Sequence, residues 1–138
     1  MAKLSGLGAK VQVADATGTL QNITNDVTEF SLGTPRGVQD ITGVDKSAHE
    51  RLLLLADMTV ALKGVFNPSP GMSHAVFQTV PSTSVNRQTS VAPTANNSTP
   101  VLTSNCLYSD YSLNRSASGE LTWQTKGDLA DGAVPAWA

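Results

Sequence analysis

"ERLLLLADMTVALKGVF", residues 50–66, holds four consecutive leucines and then near-strict alternation. Met58, Val60, Leu62, Gly64 and Phe66 fall on one side of an extended chain; Thr59, Ala61, Lys63 and Val65 fall on the other. A period of two predicts a strand from Met58 to Phe66 with one buried face, filled by Met58, Val60, Leu62 and Phe66. "NPSPG" (67–71) stops it, since proline cannot donate to a ladder. The segment in front, "KSAHERLLLLAD" (46–57), reads two ways. Ser47 with Glu50 three residues on is a capping-box pattern for one or two helical turns. Alternatively, the leucines are a collapsed loop that plugs one end of the core.

The chain on either side reads as short strands. "AKVQVAD" (9–15) alternates with Val11 and Val13 on one face, and a turn at 15–18 leads to a second short strand over 19–24. Asn25–Asp26 turns the chain into "VTEFSLG", which Gly33-Thr34-Pro35 breaks, and "GVQDITG" (37–43) is extended again. "MSHAVFQTVP" (72–81) predicts a short helix with Met72, Ala75, Val76 and Val80 on its apolar side and Pro81 at its end. Residues 82–101 are rich in Ser, Thr and Asn and predict a strand around Val85–Val91 within a long loop. Asn105–Arg115 and Gly119–Lys126 predict a hairpin, with Leu121 and Trp123 on one face. The sum is one mainly β domain over 1–138: a β-sandwich or barrel with one short flanking α-helix. Extended segments complete it: an N-terminal arm (1–8), the loop (82–101) and a C-terminal arm (127–138).

Composition narrows the function. Charged residues are 14% of the 138, against roughly 25% in a typical soluble domain. A low charged share suits a chain that hides much of its surface in an assembly, where a solvated charge is costly to bury. The net charge is −2 and the cations are scattered singly, so no patch exists to release counterions from nucleic-acid phosphates. The longest apolar run, Leu52–Ala56, is too short to cross a bilayer, and "MAKLSGLGAKVQV" lacks the apolar core of a signal peptide. Both point to synthesis and retention in a cytoplasm.

The search for chemistry returns little. Cys106 is the lone cysteine, which leaves no partner for a disulfide and no cysteine-based zinc site; a small buried apolar residue is the ordinary reading. His49 and His74 lie in stretches that could be helical, and neither has a second histidine at ligand spacing. "TGVDKS" (42–47) resembles a phosphate loop only faintly, because Gly43 is not followed by Lys-Ser, and "GLG" at Gly6 lacks a third glycine. Asp45, Asp57, Asp110 and Asp128 stand at turns or strand ends. The expectation is no enzyme, no cofactor and no metal.

Two longer stretches carry a resemblance: "ITGVDKSAHERLLLLAD" running into a strand that ends "GVFN", and "DYSLNRSASGELTW" before "LADGAVPAW". Their order over residues 20–138 resembles the tail tube (major tail) proteins of long, non-contractile-tailed bacteriophages. The resemblance implies a β-sandwich flanked by a helix, rings of six subunits stacked head to tail in the virion tail, and assembly in the host cytoplasm. The genome would pass through the lumen without sequence-specific binding, and the partners would be other copies and other tail proteins: terminator, tape measure and distal tail. Polar strand positions, Glu29, Thr122 and Gln124, are the lumen-facing candidates. Leu53, Leu54 and Trp137 are the subunit-contact candidates. Thr59, Ala61 and Lys63 would face a neighbour, the outer surface or the lumen, with Lys63 arguing against the lumen. Other readings remain: the inner tube of a contractile tail or secretion system, and a monomeric β-sandwich that binds carbohydrate or protein.

Overall fold

The computed structural model describes Lys3, residues 5–94 and residues 100–138. Met1, Ala2 and Leu4 of the expected N-terminal arm, and residues 95–99 of the expected long loop, lie outside the described residues. In chain order, β1 (Lys10–Ala14) and β2 (Leu20–Asn22) form a hairpin, and a 3-10 turn (Thr24–Asp26) leads into β3 (Val27–Gly33). β4 (Arg36–Asp40) and β5 (Arg51–Ala56) follow, then β6 (Thr59–Val65) and the helix α1 (Ser73–Phe77). β7 (Arg87–Ala92), β8 (Leu102–Arg115) and β9 (Leu121–Leu129) complete the chain. Seven strands make one antiparallel sheet in the order β2-β1-β7-β8-β9-β6-β3, while β4 and β5 pair only with each other.

Connectivity forces this sheet to curl. β2 and β3 are its opposite edges, yet residues 23–26 alone join them. Those residues reach at most ~18 Å, whereas a flat sheet of seven strands would be ~29 Å across. The sheet therefore bends until its edges approach, which makes the barrel-like form of the expected sandwich or barrel. The 3-10 turn fastens the seam. The Ile23 amide donates to Val11 O at 3.1 Å, and the Val11 amide donates to Thr24 Oγ1 at 3.0 Å. Buried Asp26 accepts from the Ser73 amide and from Asn67 Nδ2, both at 3.0 Å. One carboxylate thus ties the seam, the end of β6 and the start of α1.

The concave side holds the core. Met58, Val60 and Leu62 are buried as the alternation requires, while Phe66 is half-buried at the strand's end. Phe77 of α1 stands at the centre of an aromatic group, 5.3 Å from Tyr108, 5.4 Å from Trp123 and 5.7 Å from Tyr111 between ring centroids. Trp123 Nε1 donates to Val65 O at 2.9 Å, so the indole is buried with its polar atom satisfied. The Arg87 guanidinium is buried as well. It donates to Val76 O at 3.0 Å and Thr79 Oγ1 at 2.7 Å, at the carbonyl end of α1 where a cation is favoured.

Several expectations change. Residues 46–57 form neither helix nor plug: Arg51–Ala56 are a strand, with the leucines exposed. The reason is local. Ile41 and the Thr42 hydroxyl tie back to Glu50, closing a hairpin on β4 in place of the capping box. The helix ends at Phe77 rather than Pro81, and its buried residues are Ser73, Val76 and Phe77. β9 also takes in Gly127–Leu129, which the sequence reading gave to the C-terminal arm.

Burial sets an alkaline limit on stability. Cys106 is fully buried, and burial pushes its thiol up to about 11. Tyr108 moves the same way, also through burial, although its hydroxyl meets Thr89 Oγ1 at 2.6 Å. A raised pKa means the folded state prefers the protonated group. This contribution is complete below the unfolded thiol value and is lost as pH rises toward 11, on the order of 3 kcal/mol for the thiol. The urea midpoint is expected to hold from pH 7 to 8.5 and to fall by pH 10.5. The Cys106→Ala variant should lose less over that interval, and an equal loss would show that the thiol is not responsible.

Candidate functional site

The outer face of the sheet, opposite the core, is polar over β3, β6, β9 and the second half of β8. Register aligns its side chains in rows. Glu29 lies opposite Lys63, Lys63 opposite Gln124 and Gln124 opposite Ser112. The next row runs Ser31, Ala61, Lys126, Asp110. One shallow groove of about 410 Å³ is lined by the second row and by Glu29, Lys63 and Gln124 of the first. Thr122 belongs to the row beyond, opposite Val65 and Asn114, and shares a second hollow with Gln124.

The structure thus brings Glu29, Gln124 and Thr122 onto one face. It also places Lys63 between Glu29 and Gln124, so whatever that face meets, Lys63 meets too. Lys126 and Asp110 belong to the same groove and were not singled out from sequence, because only the pairing register joins them to it.

The second surface is the β4–β5 hairpin. Leu53 projects to one side with Val38, its direct partner, and the register then shifts, so that Leu54 and Leu55 together span Gly37. Leu52 and Leu54 project to the other, where Leu54 lies against Gly37. Leu55 is 90% exposed and Leu53 60%, and Leu52, Leu54, Val38 and Ile41 are exposed too. Leu53 and Leu54 therefore lie on opposite faces. At the hairpin's end, Thr42 donates its hydroxyl and amide to Asp40 and holds that carboxyl below its usual range, while His49 Nδ1 lies 3.1 Å from Asp40. His49 is thus in a turn, whereas His74 is in α1 with Nδ1 3.0 Å from the Tyr111 hydroxyl.

Trp137, the third contact candidate, sits on a different element. The C-terminal segment returns to the start of β8, where Val101 and Ala138 exchange backbone hydrogen bonds of 3.1 and 2.9 Å and Trp137 bridges Leu102. The indole is half exposed.

Among the described residues no cluster of His, Cys, Asp or Glu is built to hold a metal, and no helix is long and apolar enough to cross a membrane. No protein-family model matches the sequence, and no curated protein matches it. Solved structures do match in fold. One is a chain from the tail of an empty GTA particle, obtained by helical refinement with C6 symmetry: TM-score 0.72, 13% identity, 99% of each chain covered. The fold is that of a particle tail chain. A second match comes from the virion of a native gene transfer agent (GTA) particle, with TM-score 0.69, 12% identity and 99% of each chain covered.

Proposed function

We propose that the chain is a non-enzymatic structural subunit of a phage-like tail tube, located in the virion tail and assembled in the host cytoplasm. Rings of six copies stack head to tail, and the genome passes through the lumen. The ring joins the terminator, tape measure and distal tail proteins at its ends.

The β4–β5 hairpin carries this reading. A two-stranded hairpin is marginal alone, and one with bare leucines on both faces is an aggregation hazard unless a neighbour covers it. The body of the domain has a completed core and offers the hairpin no cover. Other copies of the chain do, and an open head-to-tail contact repeated by a fixed operation gives a filament. A chain of this fold occurs in a tail refined with helical and C6 symmetry, which supports the same arrangement here.

The test is negative-stain microscopy of the purified protein at rising concentration. Tubes or stacked rings with six-fold end views are the expected result. A monodisperse monomer at millimolar concentration overturns the reading. A sheath around the tube in particles carrying the protein favours a contractile system instead.

A further inference from the structure

The start of β8 is covered on both edges, but by different means. On one edge β7 pairs with Leu102–Cys106. On the other, β9 pairs back as far as Cys106, opposite Leu129, and the Ala130 amide still donates to Asn105 O at 3.0 Å. There the chain leaves β8. Asp131 accepts from Asn105 Nδ2 at 2.9 Å and from the Ala133 amide at 3.1 Å, and Gly132 turns the backbone at φ +74°. Residues 131–136 bow out over a hollow of about 290 Å³ lined in part by Thr103, Ser104 and Val134. The chain then returns: Trp137 bridges Leu102, and Val101 and Ala138 bond to each other through both backbone groups. Without that return the edge at Val101 and Leu102 would be bare, a template for another strand. Among the described residues no strand lies farther out, since β6 begins at Thr59, opposite Asp128. The returning segment is itself the edge. It is apolar, with Val134 and Trp137 exposed, and Asp131 is the only charged side chain from 130 to 138.

We infer that residues 135–138 are an edge guard, an autoinhibitory contact that covers β8 beyond the end of β9 and, through Pro135, refuses a strand from a second copy in its turn. Ala138 directs its peptide groups to β8. Along an extended chain successive peptide groups alternate between the two edges, so Trp137 and Pro135 direct theirs outward. Proline has no N–H, and within sheets it stands on edges with that side toward solvent. The outward side of the guard therefore offers one donor, the Trp137 amide, where a pairing strand needs a row of them. Charges usually deter such pairing; here the proline does so in their place. The inference stands apart from the tail-tube reading.

The test returns the missing donor to the full chain. Pro135→Val restores an outward N–H and leaves β8 covered, while Ala133→Val adds apolar surface and keeps the proline. Both are compared with the wild type at a concentration at which the wild type sediments as a single species. Pro135→Val is expected to form heavier species about tenfold more readily, because two copies paired through their guards gain a hydrogen bond from each. Its Trp137 amide should then exchange hydrogen about tenfold more slowly than in the wild type. Ala133→Val should sediment as the wild type does. Pro135→Ala, with the smallest side chain that carries the N–H, serves if the valine variant does not fold. Proline variants that sediment like the wild type overturn the inference. So do heavier species in which the Trp137 amide exchanges at the wild-type rate, since they would be held by apolar contact without strand pairing. Failure of the wild type to form tubes overturns the tail-tube reading alone and leaves this comparison intact.

Discussion

Replacing Leu53 and Leu55 with serine is expected to leave a folded monomer that no longer forms tubes. Both side chains belong to β5, largely exposed and outside the buried cluster that holds the fold. Substitutions at such positions change stability by about 0.5 kcal/mol or less, so the thermal midpoint should barely move. Assembly responds differently. Burying a leucine side chain contributes about 1.5–3 kcal/mol; two per contact amount to ~4 kcal/mol, or a rise of roughly a thousandfold in the concentration needed for tubes. Microscopy across that range, with sedimentation to confirm the monomer, checks the result. Tubes at the wild-type concentration would sink the proposal that these two leucines lie in an interface.

Leu52 and Leu54 supply a second comparison. Leu52→Ser with Leu54→Ser should cost assembly as heavily, because a hairpin apolar on both sides is gripped on both sides. Were the leucines a core plug, either pair would instead lower the melting temperature by many degrees. Equal thermal midpoints with unequal assembly would mean that only one of the two pairs lies in an interface.

How much of this was legible depends on the range of the interaction. The strand read as Met58–Phe66, and found as Thr59–Val65, was legible from alternation alone, since a half-buried strand writes its own period into the sequence. The β8–β9 hairpin was legible for the same reason. The four leucines were not, because an unbroken apolar run has no period. Its strand is fixed by pairing with β4 and by the closure from Asp40 and Thr42 to Glu50. Glu29, Thr122 and Gln124 share a face with Lys63 and Lys126, which alternation within single strands does not show. Register between β3 and β6, which sets Glu29 opposite Lys63, is a long-range property. Phe77 was passed over for the same kind of reason: five helical residues are too few to display a face.

Gly64→Ala should be the most damaging single substitution in the chain. Gly64 sits inside β6, where an interior glycine marks a close approach of another backbone. An alanine Cβ there would stand 1.8 Å from the Asp26 carbonyl oxygen and 2.9 Å from Trp123 Cζ2. The carbonyl belongs to the 3-10 turn that joins the two edges of the sheet, and the same residue's carboxylate holds Ser73 and Asn67. It cannot retreat without opening the seam, so the methyl group forces apart the contact that lets the sheet curl. A loss above about 4 kcal/mol is expected, beyond the usual 1–3 kcal/mol of overpacking and a large share of the roughly 5–15 kcal/mol that holds a typical domain. Gly127→Ala is the control. Its Cβ would meet only side-chain atoms, Tyr108 Cε2 at 3.0 Å and Val60 Cγ1 at 3.1 Å, which can shift by tenths of an ångström. That variant should lose about 1–2 kcal/mol and stay folded. Urea titrations followed by tryptophan fluorescence compare the two, since Trp123 reports the packing beside Gly64. A Gly64→Ala protein no less stable than Gly127→Ala would mean that the sheet closes without the contact between Asp26 and β6.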